Sequence, residues 1–222
     1  MTEKMNQLLE TIKKDIIFMA NEVEDAIYKS LKALKKQDKK IAQDVIKGDK
    51  KIDKQEVDIE NQILALLALQ QPVAVDLRFI VGALKMNNDL ERIGDHATNI
   101  AEIAIELSGE PYLKALEDIP KMGKISRGML HDAVLSFING DSDLASDVIA
   151  RDNEVDNLYY TVRDEVVALL RDHKDKIKQG VFLISVARDL ERVADLATNL
   201  CEDVVFMKEA RIIRHGFDKE SK

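Results

Sequence analysis

Residues 88–102 read N-D-L-E-R-I-G-D-H-A-T-N-I-A-E, and residues 188–202 read R-D-L-E-R-V-A-D-L-A-T-N-L-C-E, identical at nine of fifteen positions. The correspondence continues upstream at a drifting offset. Asp49-x-x-Ile52-Asp53 matches Asp152-x-x-Val155-Asp156, and Ala65-Leu66-Leu67 matches Ala168-Leu169-Leu170, both 103 residues apart. Asp25-Ala26-Ile27 then matches Asp132-Ala133-Val134 at 107. A chain that repeats itself in this way uses one supersecondary unit twice, and each unit must bury its apolar face against another. The drift places the length differences in connecting loops, where insertions cost least.

Punctuation divides each copy into three helices. The chain has only 3 Pro and 9 Gly in 222 residues and no Trp, a composition that favours long helices. In the first copy helices are expected over 3–36, 39–69 and 72–108. Asp38 caps the second, Pro72 opens the third in its first turn and Gly109 ends it. In the second copy they are expected over 121–139, 143–172 and 176–213, with Pro120 opening the first, Gly140 ending it, and Asp141 or Asp143 capping the next. The organisation is then a first unit over 1–109, a linker over 110–120 and a second unit over 121–214.

Apolar residues recur at helical spacing. Leu90, Ile93, Ala97, Ile100, Ala104 and Leu107 alternate steps of three and four, as do Leu190, Val193, Ala197, Leu200, Val204 and Met207. Ile41, Val45, Gly48, Ile52 and Ile59 form a comparable stripe. Short connections make neighbouring helices antiparallel, so the fold class is all-α: two tandem three-helix bundles related by an approximate twofold axis.

Charge and cysteine usage narrow the function classes. The net charge of −8 divides evenly, −4 to each half. No basic patch interleaved with aromatics appears, which argues against nucleic acid as a partner. The lysine-dense stretch from Lys32 to Lys54 is interleaved with Asp38, Asp44, Asp49 and Asp53, and reads as a solvated helix surface. The single cysteine, Cys201, lies among Leu200 and Val204 and reads as a small buried side chain. One cysteine forms no intrachain disulfide, in keeping with a reducing compartment. No apolar run approaches the roughly 20 residues of a membrane span, and the N-terminus lacks a signal-peptide core. The expected location is cytoplasmic. No nucleophile elbow, phosphate-cradling glycine loop or Cys/His metal pattern occurs, so no enzyme activity is expected.

The chemistry-bearing feature is carboxylate. Four acidic i,i+4 pairs recur between copies: Asp49/Asp53 and Glu91/Asp95, then Asp152/Asp156 and Glu191/Asp195. Such pairs lie on one helix face a turn apart, and like charges so stacked destabilise a helix slightly. Most such pairs, taken singly, are solvated. Here the same polar face, Glu91, Arg92, Asp95, Thr98, Asn99 and Glu102, returns as Glu191, Arg192, Asp195, Thr198, Asn199 and Glu202. A compensating cation, either the arginine or a metal ion, accounts for the repetition. All-oxygen donor sets suit hard or borderline ions. The Glu-x-x-His pattern of di-iron bundles is absent, because Gly94 and Ala194 occupy the third place after Glu91 and Glu191. His96 corresponds to Leu196 and so belongs to no shared ligand set; His131, His173 and His215 read as surface or capping residues.

Two copies of D-L-E-R-[IV]-[GA]-D-x-A-T-N, each preceded by an Asp-x-x-x-Asp helix, resemble the PhoU family. So do Gln-Gln-Pro-Val-Ala-Val-Asp-Leu-Arg at 70–78 and the closing Ile-Arg-His at 213–215. The resemblance covers essentially the whole chain. It implies two similar three-helix bundles side by side and a role as negative regulator of phosphate uptake and of the phosphate-starvation response. The implied partners are the ATPase subunit of a phosphate ABC transporter, a sensor histidine kinase and a second copy of the chain, with membranes reached only through partners. It further implies metal binding at Asp49, Asp53, Glu91 and Asp95, and at Asp152, Asp156, Glu191 and Asp195, by iron, manganese, magnesium or zinc. Asn99, Glu102, Asn199 and Glu202 are further oxygen donors, and Arg92 and Arg192 are expected to orient the carboxylates. The alternative reading is a carboxylate-bridged metal-binding or metal-storage bundle. The Gln-Gln-Pro segment has no counterpart in the second copy, where Lys178-Gln179-Gly180 stands instead.

Overall fold

The computed structural model describes residues 3–211 apart from Ala115. Six α-helices run α1 Glu3–Lys36, α2 Lys39–Gln70, α3 Ala74–Glu106, α4 Asp118–Asn139, α5 Ser142–Leu170 and α6 Ile177–Glu209. A single 3-10 turn, Lys174–Lys176, precedes α6, and no strand occurs among the described residues. Helices α1 to α3 form one bundle and α4 to α6 the other, as the duplication requires.

Local chemistry sets the boundaries. Asp38 caps α2 by accepting from the amides of Lys40 and Ile41 at 3.0 and 3.2 Å. Asp141, rather than Asp143, does the same for α5, accepting from Asp143 and Leu144 at 3.1 and 3.0 Å. Gly140 ends α4 in the left-handed region, which a residue without Cβ enters at little cost. Pro72 differs from expectation: it stands before α3, which opens after the extended Val73. A proline disfavours helical backbone in the residue before it, and Gln71 takes a left-handed conformation that ends α2. Helix α4 begins at Asp118, inside the stretch expected as linker, so Pro120 lies in its first turn. Helix α6 ends at Glu209, short of the expected 213, because Ala210 takes a left-handed conformation that stops it; the Ile-Arg-His at 213–215 lies outside the described residues.

The core follows a seven-residue step. Val45, Ile52, Ile59 and Leu66 of α2 are buried, as are Val148, Val155 and Val162 of α5. Gly48 is exposed and drops out of the expected stripe. Its neighbour Asp49 takes the half-buried place between Val45 and Ile52, and Asp152 does likewise between Val148 and Val155. The packing thus puts a carboxylate where the periodicity calls for an apolar side chain.

The bundles join through α3 on α6 and α1 on α4. Arg78 donates to the carbonyl of Met207 at 3.2 Å, Lys85 pairs with Asp203 at 3.2 Å, and His96 Nδ1 lies 2.9 Å from Asp189. Partners move up one helix as they move down the other, so α3 and α6 cross antiparallel. Across α1 and α4, Glu24 meets His131 at 3.1 Å. These two residues are equivalent at the 107-residue offset, so the approximate twofold axis passes through their contact. The linker is held by glutamines. Gln37 donates to the Glu110 carbonyl at 2.6 Å, and buried Gln179 donates to that of Pro111 at 3.1 Å while accepting from the Leu113 amide. Gln179 belongs to the segment where the second copy departs from the first, and this clasp is its structural role.

The seam register predicts contrasting truncations on adjacent turns of α2. Ile59→Ala, at a site 2% exposed, should cost about 2–5 kcal/mol by urea unfolding. Val57→Ala, on the exposed side, should stay within about 0.5 kcal/mol of wild type.

Candidate functional site

Close approach of α2 to α3 begins at Gly94. A Cβ on this residue would stand 3.3 Å from two atoms of Ile52 and 3.9 Å from Asp49 Oδ1. The second copy carries the next smallest residue here, buried Ala194. Small residues at these positions let α2 and α5 lie tightly on α3 and α6, and Asp49 and Asp152 are carried inward with them.

In the first bundle Asp49 Oδ1 accepts a hydrogen bond from Thr98 Oγ1 at 3.0 Å. Burial raises the Asp49 carboxyl above its ordinary value, the Thr98 bond opposes this, and Asp53, Asp95 and Glu102 add like-charge repulsion. Glu91 is raised by burial first and then by Asp95, Asp53, Glu56 and Asp49. The first set, Asp49, Asp53, Glu91 and Asp95, therefore lies within one shared electrostatic field. Asp53 and Asp95 stand on its exposed rim.

The second bundle is more enclosed. Asp156, Glu191 and Asp195 are all half-buried. Burial, followed by Asp156, Asp195 and Glu191, pushes Asp152 up to about 6. Glu191 and Asp195 are likewise raised, chiefly by burial, with Arg192 pulling the other way. Here Thr198 faces Asp152 and opposes the rise only weakly, whereas Thr98 is the main opposing influence on Asp49. Asp152 Oδ1, Glu191 Oε2 and Thr198 Oγ1 are all buried without a hydrogen-bond partner. Buried oxygens are normally satisfied; with Arg192 Nε only as near as 3.5 Å to Glu191 Oε2 and Thr198 only weakly engaged with Asp152, these three on two facing helices are poorly satisfied within the chain.

The arginines break the symmetry. Arg192 contacts Asp195 at 3.0 Å and Glu191 at 3.5 Å. Arg92 instead pairs with Asp89 at 3.1 Å and leaves Glu91 and Asp95 without that counter-charge. Asn199 and Glu202 follow Asp195 along α6. They line a cleft between the bundles with Asn88, Asp89, Glu91 and Arg92. The antiparallel crossing of α3 and α6 brings the polar faces of both copies to that cleft. Thr98 stood in the repeated face without a role of its own; its identity in both copies was the signal for one.

The oxygen-only donors and their excess negative charge suit a hard or borderline cation. Among the described residues, no three His, Cys, Asp or Glu side chains stand close enough together to hold an ion. The backbone gathers the carboxylates, and their present side-chain conformations do not close a cage. Cys201 is buried and its thiol is pushed up to about 12 by desolvation, which keeps it from nucleophilic chemistry.

Comparison with known proteins gives a consistent result. The PhoU domain family matches residues 16–104 and 119–204, once per bundle. A phosphate-specific transport system accessory protein PhoU homolog of Aquifex aeolicus is 44% identical over 217 residues, 98% of each chain. One from Clostridium acetobutylicum is 36% identical over 90% of this chain and 91% of its own. The crystal structure of PhoU from Pseudomonas aeruginosa superposes with a TM-score of 0.90 at 32% identity, covering 93% of this chain and 99% of that one.

The raised Asp152 carboxyl gives a pH dependence of defined sign. Its folded pKa of about 6 exceeds the ordinary 3.8, so between these values the native state holds a proton that the unfolded chain releases. The stability this group contributes is complete below the lower value and is lost as pH rises through the upper one. With chelator present, Asp152→Asn should flatten that loss. Urea unfolding should find it more stable than wild type at about pH 7.5, with the difference shrinking at about pH 4.

Proposed function

Because this chain belongs to the PhoU family, we propose that it is an accessory protein of phosphate-specific transport that restrains phosphate uptake and the phosphate-starvation response. It works by contact, with the ATPase subunit of a phosphate ABC transporter and with a sensor histidine kinase, and not by catalysis. The observation that carries this reading is the match of family, fold and length along essentially the whole chain to proteins named for that transport system. No helix among the described residues is long and apolar enough to cross a membrane. The protein would therefore act in the cytoplasm and meet the membrane through its partners.

The carboxylate sets are the second part of the proposal. Asp49, Asp53, Glu91 and Asp95 hold one or more metal ions in the first bundle, and Asp152, Asp156, Glu191 and Asp195 do so in the second. The poorly satisfied oxygens of Asp152, Glu191 and Thr198 support this, because a hard cation satisfies oxygens short of donors and offsets their mutual repulsion. When bound, the metal supplies positive charge that ties α5 to α6. The chain's own contribution is to position the carboxylates, with Arg192 holding Asp195 by a charge-assisted hydrogen bond and attracting Glu191 across 3.5 Å.

Two experiments test these readings separately. Deletion of the gene should switch on phosphate-starvation genes in phosphate-rich medium, and affinity capture under high phosphate should recover the transporter ATPase and the kinase. Unchanged expression would refute the regulatory role. For the metal, Glu191→Gln with Asp195→Asn preserves volume and removes two charges. It should lower metal content and remove the second bundle's share of the stabilisation by metal, which for one site amounts to about 2.7 kcal/mol at a hundredfold excess over Kd. A double variant that is more stable in metal-replete buffer, with unchanged metal content, would refute metal binding there.

A further inference from the structure

The two bundles meet along α1 and α4, and beside that contact runs a groove of about 680 Å³, within the range of small-molecule sites. Tyr28, Leu31, Lys32, Lys35 and Lys36 of α1 line one wall. Pro120, Gly123, Lys124 and Arg127 of α4 line the other. Leu31 packs so closely on Gly123 that a Cβ there would collide with it, so the floor is tight and apolar. The walls carry five cations and no carboxylate.

These cations are set apart by their clustering on one groove whose walls carry no acid. The chain carries a net −8, and neighbouring lysines are neutralised locally: Lys29 by Asp25, Lys51 by Glu22 and Lys121 by Glu154. None of Lys32, Lys35, Lys36, Lys124 and Arg127 makes an ion pair among the described residues. Arg127 and Lys32 lie 5.3 and 5.7 Å from the Tyr28 ring centroid. Contact with the ring holds both charges at the groove. The start of the lysine run is solvated, as its sequence leads one to expect, but its charges are left without acidic neighbours.

The internal duplication supplies a control. At the 107-residue offset Tyr28 corresponds to Leu135 and Lys32 to Asn139, while Lys124 corresponds to Ile17 and Arg127 to Ala20. The symmetry-related place thus carries no charge at any of these four positions. Packing of α1 on α4 does not need the cations, since the pseudo-equivalent contact is made without them.

We propose that the groove between α1 and α4 binds a small anion bearing two or more phosphoryl groups, either a nucleotide or a condensed inorganic phosphate. Five unpaired cations on two rigid helices suit clustered phosphoryl oxygens, with Arg127 able to grip two at once and the lysines acting as point charges. The half-exposed Tyr28 offers a flat face to a nucleobase.

Calorimetric titration of the full chain with ATP, tripolyphosphate and orthophosphate, in chelator to silence the carboxylate sets, tests this. ATP or tripolyphosphate should bind more tightly than orthophosphate, and more tightly at low salt. The variant Lys32→Gln/Lys124→Gln/Arg127→Gln should weaken binding by about tenfold or more. The control Lys40→Gln/Lys47→Gln, on the exposed face of α2, should leave it unchanged. Lys35→Gln/Lys36→Gln provides a second groove variant, and melting temperatures check that each variant folds. Tyr28→Leu distinguishes the sources: selective loss of ATP identifies a nucleotide site, and equal retention of both ligands identifies a condensed-phosphate site. Failure of both ATP and tripolyphosphate to bind at millimolar concentration, or an equal loss in the α2 control, would overturn the proposal.

Discussion

Like charges held at a desolvated helix–helix seam are costly, and this molecule incurs that cost twice. Asp49 and Asp152 occupy places that the seven-residue step of α2 and α5 would otherwise give to apolar side chains. Gly94 and Ala194 let the facing helix come close, so each carboxylate meets Glu91 and Asp95, or Glu191 and Asp195, across a half-buried interface. A helical bundle gains nothing in packing from this arrangement. A bound cation would offset it, and its appearance in both copies is why we propose the carboxylates as a site.

The two copies solve the same electrostatic problem to different extents. In the first bundle Thr98 gives Asp49 a hydrogen bond, and Asp53 and Asp95 reach solvent. In the second the partners are more buried, Asp152 is raised furthest, and three oxygens stay poorly satisfied, although Arg192 turns toward the cluster. The second bundle therefore has more to gain from a bound ion. The α1–α4 groove continues this divergence, since charges present on one side of the twofold axis are absent from the other.

Much of the architecture was legible before any coordinates. The duplication fixed the number of helices, the three-and-four spacing located the buried faces, and Asp38 and Asp141 behave as local caps because capping depends on residues two or three places away. The placing of these acids a turn apart on adjacent antiparallel helices was legible for the same reason, from their i,i+4 spacing. Arg92 and Arg192 were not distinguishable. They occupy equivalent positions, and their partners depend on which acceptor lies within reach of a long side chain. The grouping of Tyr28 and Lys32 with Lys124 and Arg127 was also hidden, because it arises from the crossing of α1 and α4 rather than from any local pattern. Gln179 stood out only as a departure from the repeat until its grip on the linker was seen.

The central claim is that each bundle presents a cation site built from carboxylates of two helices. It is tested most directly by titrating the chelator-stripped full chain with manganese or zinc while following stoichiometry by native mass spectrometry. Saturable uptake of at least one ion per bundle, with the second bundle filling first, is the expected result. An absence of saturable binding by either bundle would contradict it and leave the carboxylates as an uncompensated structural feature.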